Sequence, residues 1–183
     1  MSARDKLLDA ANELFYSEGV QTVGIDRIIE RAGVAKASLY NTFGSKDELV
    51  KAYLQSRHAG TTDRLRSAIK ERTDPVQRLL AAFDVQAELF RQPDFHGCAF
   101  ISASAEAPEG GVIARAADEF RADVRTLFTD LARDAGVTDP ETLGSQLQLI
   151  YDGSGLSARM DRDPTVALRA RAAAEVLIRA ALQ

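Results

Sequence analysis

Apolar residues recur along most of this chain at steps of three and four, the period of helices packed on one side. Leu7, Leu8, Ala11, Leu14 and Phe15 mark a first helix that stops at Gly19. Ile25, Ile28, Ile29 and Ala32 mark a second, ending at Gly33, and Ala35 to Phe43 a third, ended by Gly44. Ser45-Lys46-Asp47-Glu48 then reads as a capping box, with Ser45 as N-cap and Glu48 reaching back. It opens a long fourth helix from Lys46 to about Arg72, with Gly60 as a weak point inside it.

Further along, Asp-Pro recurs as Asp74-Pro75, Asp139-Pro140 and Asp163-Pro164. Asp accepts from the free amides of a first helical turn, and Pro at the next position has no amide to leave unpaired. A helical apolar pattern follows the first pair in Val76, Leu79, Leu80, Phe83, Ala87 and Phe90, and the last in Val166, Ala170, Ala173, Leu177 and Ala180. Between them, Ile113, Ala117, Phe120, Val124, Leu127 and Leu131 continue the alternation, while Gly97–Ala107 predicts a short buried helix or turn. No convincing alternation of period two appears. The predicted class is all-α, with about nine helices.

Composition narrows the function classes. With 45% hydrophobic residues among 183, the chain has the apolar content of a globular protein with a real core. One cysteine excludes an internal disulfide framework and a paired-cysteine metal site. The start MSARDKLLDA lacks an apolar signal region, and no run approaches the length of a membrane span. The expectation is a soluble, cytoplasmic protein with no membrane partner.

Charge points the other way from nucleic acid at first sight, because the formal net charge is −4. Residues 1–58, however, carry eight basic and eight acidic side chains, so the whole deficit lies in the remainder. Within Asp26–Lys46 four basic residues face two acidic ones. Attraction to phosphate acts over a Debye length of roughly 8–10 Å, so a distant acidic region need not prevent it.

Two short helices joined at a glycine are the helix-turn-helix arrangement. Gly33 supplies the positive φ of the turn, and Ile28, Val34 and Leu39 can close a small core. The third helix then presents Lys36, Ala37, Ser38, Tyr40, Asn41 and Thr42 outward. Small side chains bring the backbone near base edges, Asn can read adenine, and Lys can donate to guanine or phosphate. On spacing alone, an ordinary pair of short helices in an α-protein fits as well.

Ile28, Ala32-Gly33-Val34, Leu39-Tyr40, Phe43, Lys46 and Leu49 occur in the order and spacing of the N-terminal signature of the tetracycline-repressor (TetR) family, which residues 5–52 closely resemble. The resemblance implies a homodimeric transcriptional regulator that is not an enzyme and needs no cofactor. It implies a helix-turn-helix DNA-binding domain at 1–50, and a helical effector-binding and dimerisation domain at 51–183. The partners would be a palindromic double-stranded DNA operator and a small-molecule effector that releases a repressor from it. By position, Lys36, Ala37, Ser38, Tyr40 and Asn41 fall on the recognition helix, and Tyr40 and Lys46 match phosphate-holding positions. Gly24, Ile29, Ala35 and Thr42 depart from the common Thr, Ala, Ser and His. Ala35 leaves the recognition helix without a side-chain cap, and Thr42 can still donate to phosphate without carrying charge. The alternative reading is a small-molecule-binding protein with a vestigial head.

Outside the head the candidates have plainer readings beside them. Phe83, Phe90, Phe100, Phe120 and Tyr151 are core residues first, though in a ligand-enclosing family some would line a pocket. Gln86, Ser102 and Ser104 read either as polar ligand contacts or as plain helix surface. The last two helices read as a dimerisation pair through Leu147, Tyr151, Ser154, Ala158, Ala170, Ala173, Leu177 and Ala180, with Gly153 and Gly155 allowing close approach; the same stripe could pack within one subunit. Cys98 and His96 lie too close in sequence to face each other on a helix, and a structural cysteine is the better reading than a catalytic or redox one. His58 and His96 are too far apart in sequence to suggest zinc.

Overall fold

The computed structural model describes residues 1–107 and 110–183, which form nine α-helices with no strand among them. In chain order these are α1 (Ala3–Glu18), α2 (Ile25–Ala32), α3 (Lys36–Phe43), α4 (Lys46–Lys70), α5 (Pro75–Phe90), α6 (Ala99–Glu106), α7 (Val112–Asp134), α8 (Pro140–Asp161) and α9 (Val166–Ala181). Two compact units emerge. Met1–Ala59 joins Ala99–Asp118 in the first, and Gly60–Cys98 joins Glu119–Gln183 in the second. The division crosses α4 at Gly60, where the helix nonetheless continues.

Side-chain caps account for four of the nine helix starts among the described residues. The Ser2 hydroxyl accepts from the Asp5 N–H while Asp5 Oδ2 accepts from the Ser2 N–H, a complete capping box. Asp74 and Asp139 accept from the N–H groups of Gln77 and Thr142, with Pro75 and Pro140 opening α5 and α8. Ser45 accepts from the Glu48 N–H at 3.2 Å, whereas the Glu48 carboxylate lies 3.7 Å from Lys51 Nζ.

Asp163 departs from the expected pattern. Its carboxylate accepts from the backbone and hydroxyl of Thr165 and from Arg169, which hold its pKa down at about 2. The helix begins only at Val166, with no side-chain cap at Thr165. Asp163 thus serves the turn before α9.

In the first unit, α1 packs on α2 and α3. Leu7, Ala11, Leu14, Phe15, Val20, Val23, Ile28, Leu39, Leu49, Val50, Tyr53 and Leu54 are buried, whereas Val34 is only half-buried. Phe15 and Tyr53 meet edge to face at 5.5 Å, and the Arg57 guanidinium lies 3.7 Å over the Tyr16 ring.

In the second unit α5 packs against both α8 and α9. Phe83 stacks on Phe128 at 5.9 Å, and Tyr151 meets both rings at their edges. Burial drives the Tyr151 hydroxyl pKa upward, so this tyrosine stays neutral. Gln86 Nε2 donates to the Tyr151 carbonyl at 2.9 Å, and Ser154 lies 2.6 Å from Gln86 Oε1. These bonds satisfy a buried amide that would otherwise cost stability.

Candidate nucleic-acid interface

Gly33 takes the left-handed conformation, at φ 63° and ψ 41°, between α2 and α3. Its N–H donates to the Glu30 carbonyl and the Val34 N–H to that of Ile29, which closes α2 and redirects the chain. Ile28 and Leu39 are fully buried and anchor the two helices on one side. The opposite side of α3 is therefore the exposed one, and Lys36, Ala37, Tyr40, Asn41 and Thr42 all lie on it, with Ser38 half-buried. Neither Gly24 nor Ala35 provides a side-chain cap bond.

Lys46 stands at the start of α4, half-buried, with Nζ 3.5 Å from the Gln21 carbonyl. The Gln21 N–H donates to Glu106 Oε2 at 2.9 Å, so one turn residue bridges the end of α6 and the start of α4. Gly19 is required beside it: at φ 94° its missing Cβ would stand 2.6 Å from Glu106 Oε1.

Two sequence expectations change. The Thr42 hydroxyl donates to the Ser38 carbonyl at 2.6 Å, so its proton is engaged within α3 and is not directed at phosphate. The basic window is also largely compensated. Arg27 pairs with Glu18, Arg31 with Glu13 at 2.6 Å, and Lys36 with Asp26 at 2.8 Å. Asp26 raises the Lys36 pKa through this hydrogen bond and its charge. Sequence reasoning missed these pairs because their partners lie 9 to 18 residues apart.

The five aromatic candidates do not gather around one described cavity. Phe83 and Tyr151 belong to the closed ring cluster, Phe90 packs on Phe95 at 4.8 Å, Phe120 is buried, and Phe100 meets His58 in the first unit. A groove of about 210 Å³ in the second unit is lined instead by Thr62, Leu65, Arg66, Asp123, Val124, Thr126, Leu127 and Asp130. Gln86 is committed to α8, Ser102 is half-buried and Ser104 exposed. Cys98 is a half-buried free thiol.

Among the expected dimer residues, Leu147, Tyr151, Ser154, Ala158 and Ala170 turn inward and are buried within the subunit. Leu177 is half-buried, and Ala173 and Ala180 are exposed. A second apolar stripe faces outward instead: Leu149, Leu156 and Met160 on α8, and Leu168 and Val176 on α9. Among the described residues no helix is long and apolar enough to cross a membrane, and no group of His, Cys, Asp and Glu is placed to hold a metal ion.

Comparison with known proteins gives this geometry a class. The profile of the bacterial regulatory proteins of the tetR family matches residues 7–53, which run from α1 into α4. A TetR-family transcriptional regulator from Streptomyces coelicolor superposes with a TM-score of 0.94 at 31% identity, over 99% of this chain and 96% of that one. A putative regulator of the same kind from Streptomyces avermitilis gives 0.88 at 32% identity, over 99% and 98%. The chain belongs to the TetR family of transcriptional regulators. In sequence, the HTH-type transcriptional activator FasR of Mycolicibacterium smegmatis is 35% identical over 134 residues, 73% of this chain but 61% of that protein's length.

Proposed function

We propose that the protein is a homodimeric regulator that binds a palindromic duplex operator through α3 and is released from it by a small-molecule ligand. The observation that carries this reading is the exposed face of α3, with Lys36, Tyr40 and Asn41 beside Lys46 at the positive end of α4. A dimer would place two such faces in successive major grooves, roughly 34–36 Å apart. The outward stripe on α8 and α9, together with the exposed Ala173 and Ala180, is the surface we assign to the partner subunit, in place of the inward Leu147, Tyr151, Ser154, Ala158 and Ala170. The role is that of a binding protein, not an enzyme, and its action is in the cytoplasm.

Among the relatives FasR is a named activator, while the KstR2 proteins, about 30% identical over 82 residues, are named repressors. We favour repression by operator occupancy. α4 runs from the first unit into the second, which makes it the element through which a ligand would shift the head. That shift cannot exceed the ligand's differential affinity for the two states.

Selection from random duplex DNA tests the first half of the proposal: a palindrome should emerge, and Tyr40→Ala and Lys46→Ala should weaken binding to it. Enrichment of no sequence, or unchanged affinity in both variants, would remove the reading. A thermal-shift screen with apolar and cationic compounds tests the second half. Compounds that stabilise the protein should release the selected duplex.

A further inference from the structure

The three ion pairs of the head differ in what they join. Arg27–Glu18 and Arg31–Glu13 reach back from α2 to α1. Lys36–Asp26 instead links the first residue of α3 to the first turn of α2, with both side chains exposed. Exposed pairs of this kind contribute little to stability. A carboxylate on a DNA-facing surface is also repelled by phosphate, so backbone attraction gives no reason for Asp26.

Base edges do give one. The N-terminal residues of a recognition helix meet the edges of bases in the major groove, and Lys36 is the first residue of α3. There a G·C pair sets guanine O6 and N7, both acceptors, beside the N4 amino donor of cytosine. O6 and N4 are hydrogen-bonded to each other, so they lie about 2.9 Å apart. Lys36 Nζ and Asp26 Oδ1 are 2.8 Å apart. Ion pair and base pair therefore match in spacing and in polarity. The ammonium donates to O6 and N7 while the carboxylate accepts from N4. An A·T pair also sets a donor beside an acceptor, but its thymine O4 is a single acceptor flanked by a methyl group.

We propose that Asp26 and Lys36 act as one unit that reads a G·C pair in each operator half-site. The inference rests on the operator-binding reading above. It makes Asp26 a specificity-determining residue.

The test uses the full-length protein and a duplex selected by it. Wild type should show an invariant G·C at one symmetric position of each half-site. Exchange for A·T there should weaken binding about tenfold per half-site, the scale of one good base contact. Asp26→Ala and Lys36→Met should each erase discrimination at that position and leave preferences elsewhere intact. Both side chains are exposed, and matching thermal melts would confirm that the variants fold. Two results overturn the proposal: Asp26→Ala tightening binding to all sequences alike with a steeper salt dependence, or discrimination unchanged in either variant. If wild type enriches no sequence, the operator-binding reading falls and this one with it. Sequence-specific binding with unaltered discrimination in Asp26→Ala removes this one alone.

Discussion

Leu149→Glu is the sharpest test of the proposed dimer. On α8, Leu149, Leu156 and Met160 are spaced by seven and four residues and so share one face, with the small Gly153 between them. With Leu168 and Val176 of α9, the five side chains remain between 46% and 73% exposed, equivalent to about three whole apolar side chains per subunit. Burying each stabilises by ~2 kcal/mol, so covering both copies yields roughly 12 kcal/mol before other contacts are counted. Association itself costs about 4–15 kcal/mol, so the stripe matters to the outcome and has little surplus. Leu149→Glu removes ~1.5 kcal/mol of burial per copy. Desolvating the new polar group adds ~1 kcal/mol or more per copy. Two-fold symmetry doubles both terms, to ~5 kcal/mol, which is roughly several thousandfold in dimer Kd. Sedimentation equilibrium over a range of concentrations reads this directly, with far-UV circular dichroism to show that the monomer stays helical. Association within threefold of wild type would refute the assignment of this face.

Three further outcomes follow from other contacts. Lys46→Ala should flatten the dependence of log K on log salt by about one per subunit, measured on the selected duplex; an unchanged slope would deny Lys46 a phosphate. Gly144→Ala should lower the denaturation midpoint despite alanine's better helix propensity. Its Cβ would lie 3.0 Å from the Thr129 backbone nitrogen and 3.1 Å from its Cα, and forcing α7 from α8 costs ~1–3 kcal/mol. Asp152→Asn should stabilise the protein at pH 7 and lose that advantage near pH 4. Burial raises the Asp152 pKa against the opposing pull of Arg121 and Arg125, so the folded state holds its proton more tightly and ionisation opposes folding. Oδ2 also lacks an aligned hydrogen bond, although an Arg121 nitrogen lies 3.2 Å away. Melting temperatures of both proteins at the two pH values decide the matter.

Helix positions were legible in the sequence wherever a local interaction sets them. Asp74 and Asp139 cap α5 and α8 because a carboxylate three residues before an amide needs no tertiary help. Gly33 ends α2 because few other residues accept its dihedral angles. The facing of α8 was not legible in this way. Leu147, Tyr151, Ser154 and Ala158 follow a helical period, and Leu149, Gly153, Leu156 and Met160 follow the same period two residues on. Periodicity alone does not tell which stripe is inward. The signal that could have found the outward one is its existence: a helix apolar on two faces has a second surface to cover. The roles of the aromatics were not legible for a related reason. Whether Phe83 packs on a ring or faces a ligand depends on α7 and α8, whose placement its own sequence neighbourhood does not encode.

The acidity of the chain also takes on a different meaning once partners are known. A positive window at Asp26–Lys46 suggested attraction summed over four cations, yet three of them face carboxylates of the same unit. Lys46 has no carboxylate partner among the described residues; its neighbour is the Gln21 carbonyl, and the N–H of the same residue is held by Glu106. The turn at Gln21 thus sits between an ammonium on α4 and a carboxylate on α6. Of the four cations in that window, Lys46 alone is not paired with a carboxylate among the described residues. On the operator-binding reading proposed above, the three paired cations of this window add little nonspecific attraction, and more of the affinity falls to fitted contacts. Fitted contacts are what a regulator needs when nonspecific sites vastly outnumber its operator.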